Sequence, residues 1–190
     1  MKVYTRKGDG GETRLLSGER VGKDDRRVDT YGALDELQAQ LGMARAMIAC
    51  GEIQAQLHAV QCDLFTASAE LAISEGAGAK PDNPIGEGTA RKLEGWIDDH
   101  VARWGLPDRF VVPGETRESA ALHVARTVCR RCERLIVGLN RREPVGSGLL
   151  TYFNRLSDLL FTIAWGLELE SAVKDAVEKA LLAKTHGGAS

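Results

Sequence analysis

Apolar residues recur at steps of three and four along most of this 190-residue chain, which is the period of a helix with one buried face. The first such segment starts near Asp25, and a second one follows a break at Gly51. The predicted buried face of the first helix carries Leu34, Leu37, Leu41, Ala44 and Ile48, and that of the second carries Ile53, Leu57, Val60, Leu64 and Leu71. Two long amphipathic helices are therefore expected in the first half of the chain.

Three further helices are predicted in the second half. They run from about Gly88 to Arg103, from about Glu115 to Arg142, and onward from near Gly148. Gly/Pro-rich residues 74–88 and the segment WGLPDRFVVPGET form the longer connections. Because no segment alternates convincingly as a strand would, the pattern predicts an all-α fold, a five-helix up-and-down bundle.

We expect a single domain over residues 1–190, made of a long N-terminal loop (1–25), the helical bundle (26–170) and a C-terminal segment (171–190). The loop shows neither a helical nor a strand period and contains five glycines among basic residues. Glycines allow a backbone to approach a ligand closely, and successive N–H groups in a turn can bind an anion. A phosphate-binding loop and an ordinary surface loop both fit this composition.

The stretch GERVGKDDRRV resembles a P-loop only superficially. Three residues separate Gly18 from Gly22 where a P-loop has four, and Asp24 follows Lys23 in place of Ser or Thr. If ATP binds here, Walker-type chemistry is excluded.

A row of arginines marks the predicted fourth helix. Arg126, Arg130, Glu133, Arg134 and Arg141 share one side at helical spacing, with Arg131 beside them. Guanidinium groups bind phosphate bidentately, so this row suits an oligophosphate. A solvated charged face is the alternative. Asn154 in YFNRLSD and Asp35 in YGALDEL are further polar residues within apolar helical segments.

Composition and residue patterns argue against several classes of function. The net charge of −2 gives no global basic field for nucleic acid, and no apolar run is long enough to cross a bilayer. Cys129 and Cys132 form a CxxC inside a helical pattern without a second pair, and the histidines belong to no ExxH pattern. The sequence predicts a soluble, cytoplasmic protein and disfavours a structural zinc site or a bundle-core metal site, while any residues that hold a metal ion stay unknown.

Four blocks of the chain are similar to one known family. The run YTRKGDGGETRLLSGERVGKDDRRVDTYGALDEL, then RFVVPG, ALHVARTVCRRCER and YFNRLSDLLF, resemble in order the signatures of the PduO-type ATP:corrinoid adenosyltransferases. The resemblance implies a five-helix bundle that assembles as a homotrimer with active sites between subunits. It implies ATP with Mg²⁺ and reduced cobalamin as reactants, and adenosylcobalamin and triphosphate as products. A reductase that supplies Co(I) and an adenosylcobalamin-dependent enzyme are the implied partners.

The resemblance also implies site residues. Those implied for ATP are Thr5, Arg6, Lys7, Gly8, Thr13, Arg14 and Lys23 in the loop, and Arg130, Arg131, Glu133, Arg134 and Asn154 on the helices. Asp35 and Arg126 are implied to join subunits and shape the corrinoid side, and Phe110 to lie under the corrin ring. Arg130 and Phe110 are the residues implied for catalysis, because the leaving triphosphate needs a cation and the cobalt needs shielding from water.

One departure and three alternatives remain. Trp165 and Gly166 stand where the family commonly carries an arginine, which puts the packing of the C-terminal segment over the corrinoid in doubt. A non-catalytic ATP or corrinoid sensor or carrier on the same scaffold is the first alternative. A helical phosphohydrolase that uses the arginine row and a pure interaction bundle are the others.

Overall fold

A computed structural model describes residues 4, 6, 8–74, 77 and 83–187, with side chains as far as residue 184. Five helices account for most of it: α1 (Arg26–Met47), α2 (Gly51–Leu71), α3 (Glu87–Trp104), α4 (Arg117–Asn140) and α5 (Ser147–Gly187). Two short strands, β1 (Glu12–Arg14) and β2 (Arg20–Gly22), precede them. The predicted helices are thus confirmed, with ends that differ from the expected ones by a few residues.

Local capping explains where the helices begin and end. The Asp25 carboxylate accepts a hydrogen bond from the Arg27 N–H (2.8 Å) and caps α1. Thr116 and Ser119 form a reciprocal capping box at the start of α4. Gly105 ends α3 with a φ of 66°, a left-handed conformation that glycine adopts without a Cβ penalty.

The five helices alternate in direction, which confirms the up-and-down bundle. Arg27 at the start of α1 pairs with Glu143 just beyond the end of α4, so these neighbours are antiparallel. Glu94 meets Arg155 and Arg103 meets Glu170, so α3 runs parallel to α5. In space the packed order is α2, α1, α4, α5, α3.

The core follows the predicted apolar stripes. All ten predicted inward residues of α1 and α2 are buried, and Tyr152, Phe153, Leu156, Leu159, Leu160 and Ile163 fill the centre from α5. Cys129 and Cys132 are buried too, and their thiols donate to the carbonyls of Phe153 (3.4 Å) and Ala33 (3.2 Å). Burial raises the pKa of the Cys132 thiol to about 12, so it packs as a small apolar residue, as expected.

Two features correct the expectations from sequence. The N-terminal loop contains an antiparallel hairpin, in which Glu12 pairs with Gly22, Thr13 with Val21 and Arg14 with Arg20. Three-residue strands are too short to show a period of two, so the pattern could not reveal them. In addition, α5 passes through residue 170 without a break, because its exposed continuation from residue 172 consists mainly of good helix formers.

Candidate active site

A cleft of about 940 Å³ opens between α3, α4, α5 and the loop that joins α3 to α4. Ile97 and Val101 form its α3 wall, and Phe161 belongs to its α5 wall. Its α4 wall carries Arg126 and Arg130. A largely apolar pocket of this size with a few convergent polar groups is suited to a small-molecule ligand.

Three arginines line this cleft without an ion-pair partner among the described residues, namely Arg109, Arg126 and Arg130, and Arg130 is the one that belongs to the predicted ATP-binding residues. Its side chain is exposed, and it has no ion-pair partner within the part of the chain that the structure describes. Arg134, one turn further along α4, donates to the Arg130 carbonyl (3.0 Å). Arg131, by contrast, is already paired with Glu36 of α1. The predicted arginine row therefore lies on the surface of α4, with Arg130 at the cleft.

A polar network joins the arginine row to α5 and α3. The Asn154 amide donates to the Glu133 carboxylate (3.2 Å) and accepts from Arg155 (2.8 Å). Arg155 also pairs with Glu94 on α3 (2.8 Å). Three helices thereby fix the amide of Asn154, which the sequence predicted as a site residue, next to Glu133.

Asp158 is a cleft carboxylate that sequence reasoning missed. It lies one turn after Asn154 and faces the same cleft as Arg130. Burial raises its pKa, while the charges of Arg155 and Arg130 oppose that shift. The sequence could have indicated Asp158, because a spacing of four residues places it on the same side of the helix as Asn154.

The loop between α3 and α4 brings Phe110 to the mouth of the cleft. Its ring is 103% exposed, so it makes no contribution to the core of this chain. On the other side of the loop lies a second cleft of about 790 Å³, which Trp165, Glu168 and Ala172 of α5 help to line. Phe110 and its neighbours line both clefts, so the loop divides them.

The hairpin residues lie at the other end of the bundle. Leu16 donates to the Ala72 carbonyl (2.8 Å), and the Ser74 N–H donates to the Ser17 hydroxyl (3.3 Å), which anchors the hairpin to the end of α2. That end also holds the start of α1 and the end of α4. With 24 residues α4 is about 36 Å long, and it runs from the Phe110 loop to this end, so the hairpin and Phe110 lie at opposite ends of the bundle.

The predicted ATP-binding residues in and beside the hairpin differ in whether their side chains are free to contact a ligand. The Arg14 guanidinium donates to the Gly18 carbonyl (2.8 Å) and so closes the hairpin. Lys23 is exposed, and its ammonium group lies beside Gly8, where a Cβ would meet it at 3.2 Å. Thr13 lies in β1, opposite Val21.

Four further predicted residues belong to the N-terminus and α1. Arg6 has a φ of 60° and stacks its guanidinium 5.4 Å from the Tyr4 ring centroid. Thr5 and Lys7 lie outside the described residues. Asp35 is exposed on α1 and has no ion-pair partner among the residues that the structure describes, so its predicted pairing with Arg126 does not occur within one chain.

The sequence profile of the family described as cobalamin adenosyltransferase matches residues 3–167. The chain belongs to this family. A corrinoid adenosyltransferase from Citrobacter freundii is 43% identical over 163 residues, which cover 86% of this chain and 93% of the relative. A corrinoid adenosyltransferase from Bacillus subtilis is 36% identical over 179 residues, covering 92% and 91%.

Solved structures agree with the family assignment. A variant PduO-type ATP:corrinoid adenosyltransferase from Lactobacillus reuteri, complexed with cobalamin and ATP, superposes with a TM-score of 0.83 at 34% identity, covering 90% of this chain and 96% of that one. Another variant of the enzyme, complexed with ATP, gives a TM-score of 0.82 at 35% identity, with the same coverage of each chain. The five-helix bundle is therefore the fold of this family.

The described residues contain neither a metal-binding cluster nor a membrane-spanning helix. Among the described residues, no group of three or more His, Cys, Asp or Glu side chains could hold a metal ion. None of the described helices is long and apolar enough to cross a membrane.

Proposed function

We propose that this protein transfers the 5′-deoxyadenosyl group of ATP to the cobalt of a reduced corrinoid and releases triphosphate. The observation that carries the proposal is the position of Arg130, an arginine without an anionic partner among the described residues, beside a mainly apolar cleft whose mouth carries Phe110. An apolar wall suits a large flat macrocycle, and the free guanidinium suits a phosphate chain. The family membership supports the same reaction.

The chemistry makes specific demands on the protein. The cobalt electron pair attacks the 5′ carbon of ATP, the carbon–oxygen bond breaks, and the triphosphate leaves with the bonding electrons as cobalt goes from Co(I) to Co(III). Negative charge therefore grows on the leaving oxygen, where Arg130 and Arg134 would stabilise it by preorganised electrostatics. No general base is required, because no proton is transferred.

Phe110 would act on the corrinoid. Its exposed ring can lie against one face of the macrocycle and keep water from the cobalt. Excluding a water ligand favours the lower coordination number, and this eases the reduction of Co(II) to the nucleophilic Co(I).

The described side chains form no cluster of three or more acidic, histidine or cysteine residues that could hold Mg²⁺ without a substrate. Mg²⁺ is usually held by substrate phosphates with only one or two carboxylates. In this proposal it enters bound to the triphosphate, where Glu133 is the acidic residue within the arginine row.

We further propose that the complete site forms between subunits of a homotrimer. The hairpin with Lys23 and Gly8 lies at one end of the bundle, and the Phe110 loop lies at the other. Because the reacting carbon and cobalt must come into contact, the two halves of the site must come from different chains if both take part. A reductase that supplies Co(I), an acceptor enzyme for the product and a cytoplasmic location belong to the same proposal.

The test is an anaerobic assay with ATP, Mg²⁺ and chemically reduced cobalamin, in which the Co(I) spectrum and triphosphate are followed together. Arg130→Ala should lower kcat by about 100-fold, the typical effect of losing one preorganised donor. Arg91→Ala is the matched control, because Arg91 is an exposed arginine whose ion-pair partner among the described residues is Glu87, on the surface of α3. Sedimentation at micromolar concentration should show a trimer.

Each alternative gives a different result. A sensor or carrier would bind ATP without releasing triphosphate. A phosphohydrolase would release phosphate or pyrophosphate without any corrinoid. Equal rates for the Arg130 and Arg91 variants would contradict the role of Arg130, and a monomer would contradict the intersubunit site.

A further inference from the structure

We propose that His123 and Glu168 are positioning residues for Arg126, and that the line Arg126–His123–Glu168 holds the Arg126 guanidinium at the corrinoid end of the cleft. This inference rests on the proposed function for its kinetic consequence. It concerns two buried residues that neither the sequence patterns nor the proposed mechanism uses.

The geometry of the line fixes the state of the imidazole. The Nε of Arg126 lies 3.4 Å from the Nδ1 of His123, and Nε2 of the same ring lies 3.7 Å from a Glu168 carboxylate oxygen. A guanidinium N–H can only donate, so Nδ1 must accept and Nε2 must carry the ring proton. The N–H at Nε2 then points towards the carboxylate.

Burial explains why these groups depend on one another. The side chains of His123 and Glu168 are each only 5% exposed. Neither Nε2 of His123 nor the facing oxygen of Glu168 has a hydrogen-bond partner among the described residues. Buried polar atoms without partners are costly, so each of these two atoms is the natural partner of the other.

The imidazole of His123 is expected to be neutral and to lie between two oppositely charged side chains. Burial lowers the pKa of His123, the charge of Arg126 lowers it further, and the charge of Glu168 opposes both effects. With the imidazole neutral, the positive Arg126 and the negative Glu168 lie at its two ends. A protonated ring would lose its acceptor and place a second cation against Arg126.

The line connects the two clefts. Arg126 lines the first cleft, Glu168 lines the second, and His123 packs edge-on against Phe161 in the wall of the first (6.2 Å between ring centroids). Both contacts of His123 are longer than ordinary hydrogen bonds of about 2.9–3.0 Å. Hydrogen bonds at active sites are often long in the free protein and tighten in the complex, so we expect both contacts to shorten when the cleft is filled.

A kinetic test separates positioning from packing. Glu168→Leu removes the acceptor, whereas Glu168→Gln keeps an oxygen of the same reach. We expect Glu168→Leu to lower kcat/KM for the corrinoid about tenfold with the KM for ATP unchanged, and Glu168→Gln to stay within about threefold of the wild type. Gln56→Leu is the matched control, because Gln56 is the buried hydrogen-bond partner (2.8 Å) of His100, which is also a buried histidine.

The outcomes of this test are distinct. The proposal is supported if kcat/KM for the corrinoid falls selectively in Glu168→Leu. In that case Glu168→Gln should have nearly the wild-type value, and Gln56→Leu should show no such loss. Similar losses in the Leu and Gln variants of Glu168, or a rise in the KM for ATP equal to that for the corrinoid, would overturn it.

A second measurement does not depend on activity and reads the wild-type protein directly. In wild-type protein labelled with ¹⁵N at its four histidines, two-bond nitrogen–proton couplings report the tautomer of each ring. We expect His123, assigned by the signal lost in His123→Asn, to be neutral with its proton on Nε2 at pH 7. A proton on Nδ1, or a protonated ring, would overturn the line. If the wild type showed no adenosylation, the proposed function would be wrong. The tautomer of His123 would still test the proposed contacts among Arg126, His123 and Glu168.

Discussion

Gly166 on α5 packs directly beneath the indole ring of Trp104 at the end of α3. A Cβ at this position would overlap the Trp104 ring atoms. The ring has little room to move, because it stacks on His100 (4.7 Å between centroids, 9° between planes) and its N–H donates to Glu170 (3.0 Å). We therefore predict that Gly166→Ala is destabilising, although alanine favours a helix.

The magnitude follows from two opposed effects. Inserting a methyl group into a packed contact costs about 1–3 kcal/mol. Replacing a glycine inside a helix by alanine gains at most about 1 kcal/mol. The added Cβ would overlap three atoms of the ring, so the cost lies at the upper end of its range and the expected net loss is about 2 kcal/mol. Because 1 kcal/mol shifts Tm by about 2–4 °C in a protein of 150–250 residues, Tm should fall by about 4–8 °C.

The assay is thermal and urea unfolding, with Gly95→Ala as the matched control. Gly95 lies inside α3, the helix that carries Trp104, but it is exposed and a Cβ there would meet nothing within 4 Å. Gly95→Ala should therefore raise the free energy of unfolding by about 0.5–1 kcal/mol. The two substitutions are chemically identical, so opposite signs isolate the effect of the indole.

A Trp104→Leu background provides the second control. There the overlap is relieved, so Gly166→Ala should cost much less than in the wild type, with a coupling free energy of at least about 0.5 kcal/mol. An unchanged or raised Tm for Gly166→Ala in the wild type would refute the reasoning. So would equal losses in both backgrounds, because the cost would then not come from the indole.

Two further predictions concern acidity and the Phe110 loop. Burial is the largest cause that lowers the pKa of both His100 and His123 below 6.5. Below that pH the unfolded chain therefore binds more protons than the folded one. The free energy of unfolding should be highest above about pH 6.5 and should fall as the pH decreases. Urea unfolding between pH 7.5 and 5.5 should show a shallower fall in His100→Leu than in the wild type, and parallel curves would contradict this assignment. Phe110→Ala should leave the free energy of unfolding within about 0.5 kcal/mol, because the ring is fully exposed. It should also spare ATP binding while lowering adenosylation from Co(II), and equal losses of both would make Phe110 a general structural residue.

The departure at Trp165 and Gly166 now has a partial physical explanation. Gly166 is required by its contact with the Trp104 ring, so this position is a matter of packing between α3 and α5. Trp165 has a buried indole N–H without an acceptor among the described residues, and it lines the second cleft next to Glu168. The sequence showed that both positions are unusual, but the reason lay in residues far away along the chain.

The sequence by itself determined the five helices and the arginine row. Apolar residues at helical spacing mark one buried face wherever a helix packs, so Leu34 and Leu57 could be assigned to the core without any coordinates. Arg130 and Arg134 were identified in the same way, because a spacing of four residues places both on one side of α4.

The tertiary structure alone decided which of these groups meet. Arg131 pairs with Glu36, 95 residues away, and Arg130 does not, although both arginines look alike in the sequence. Glu168 of α5 faces His123 of α4, and Gly166 of α5 lies under Trp104 of α3. The spacing of residues within one helix does not predict either contact. Periodicity reports only which face of a segment is buried. The partner of a buried polar group depends on how separate helices pack, which is decided when the whole chain folds.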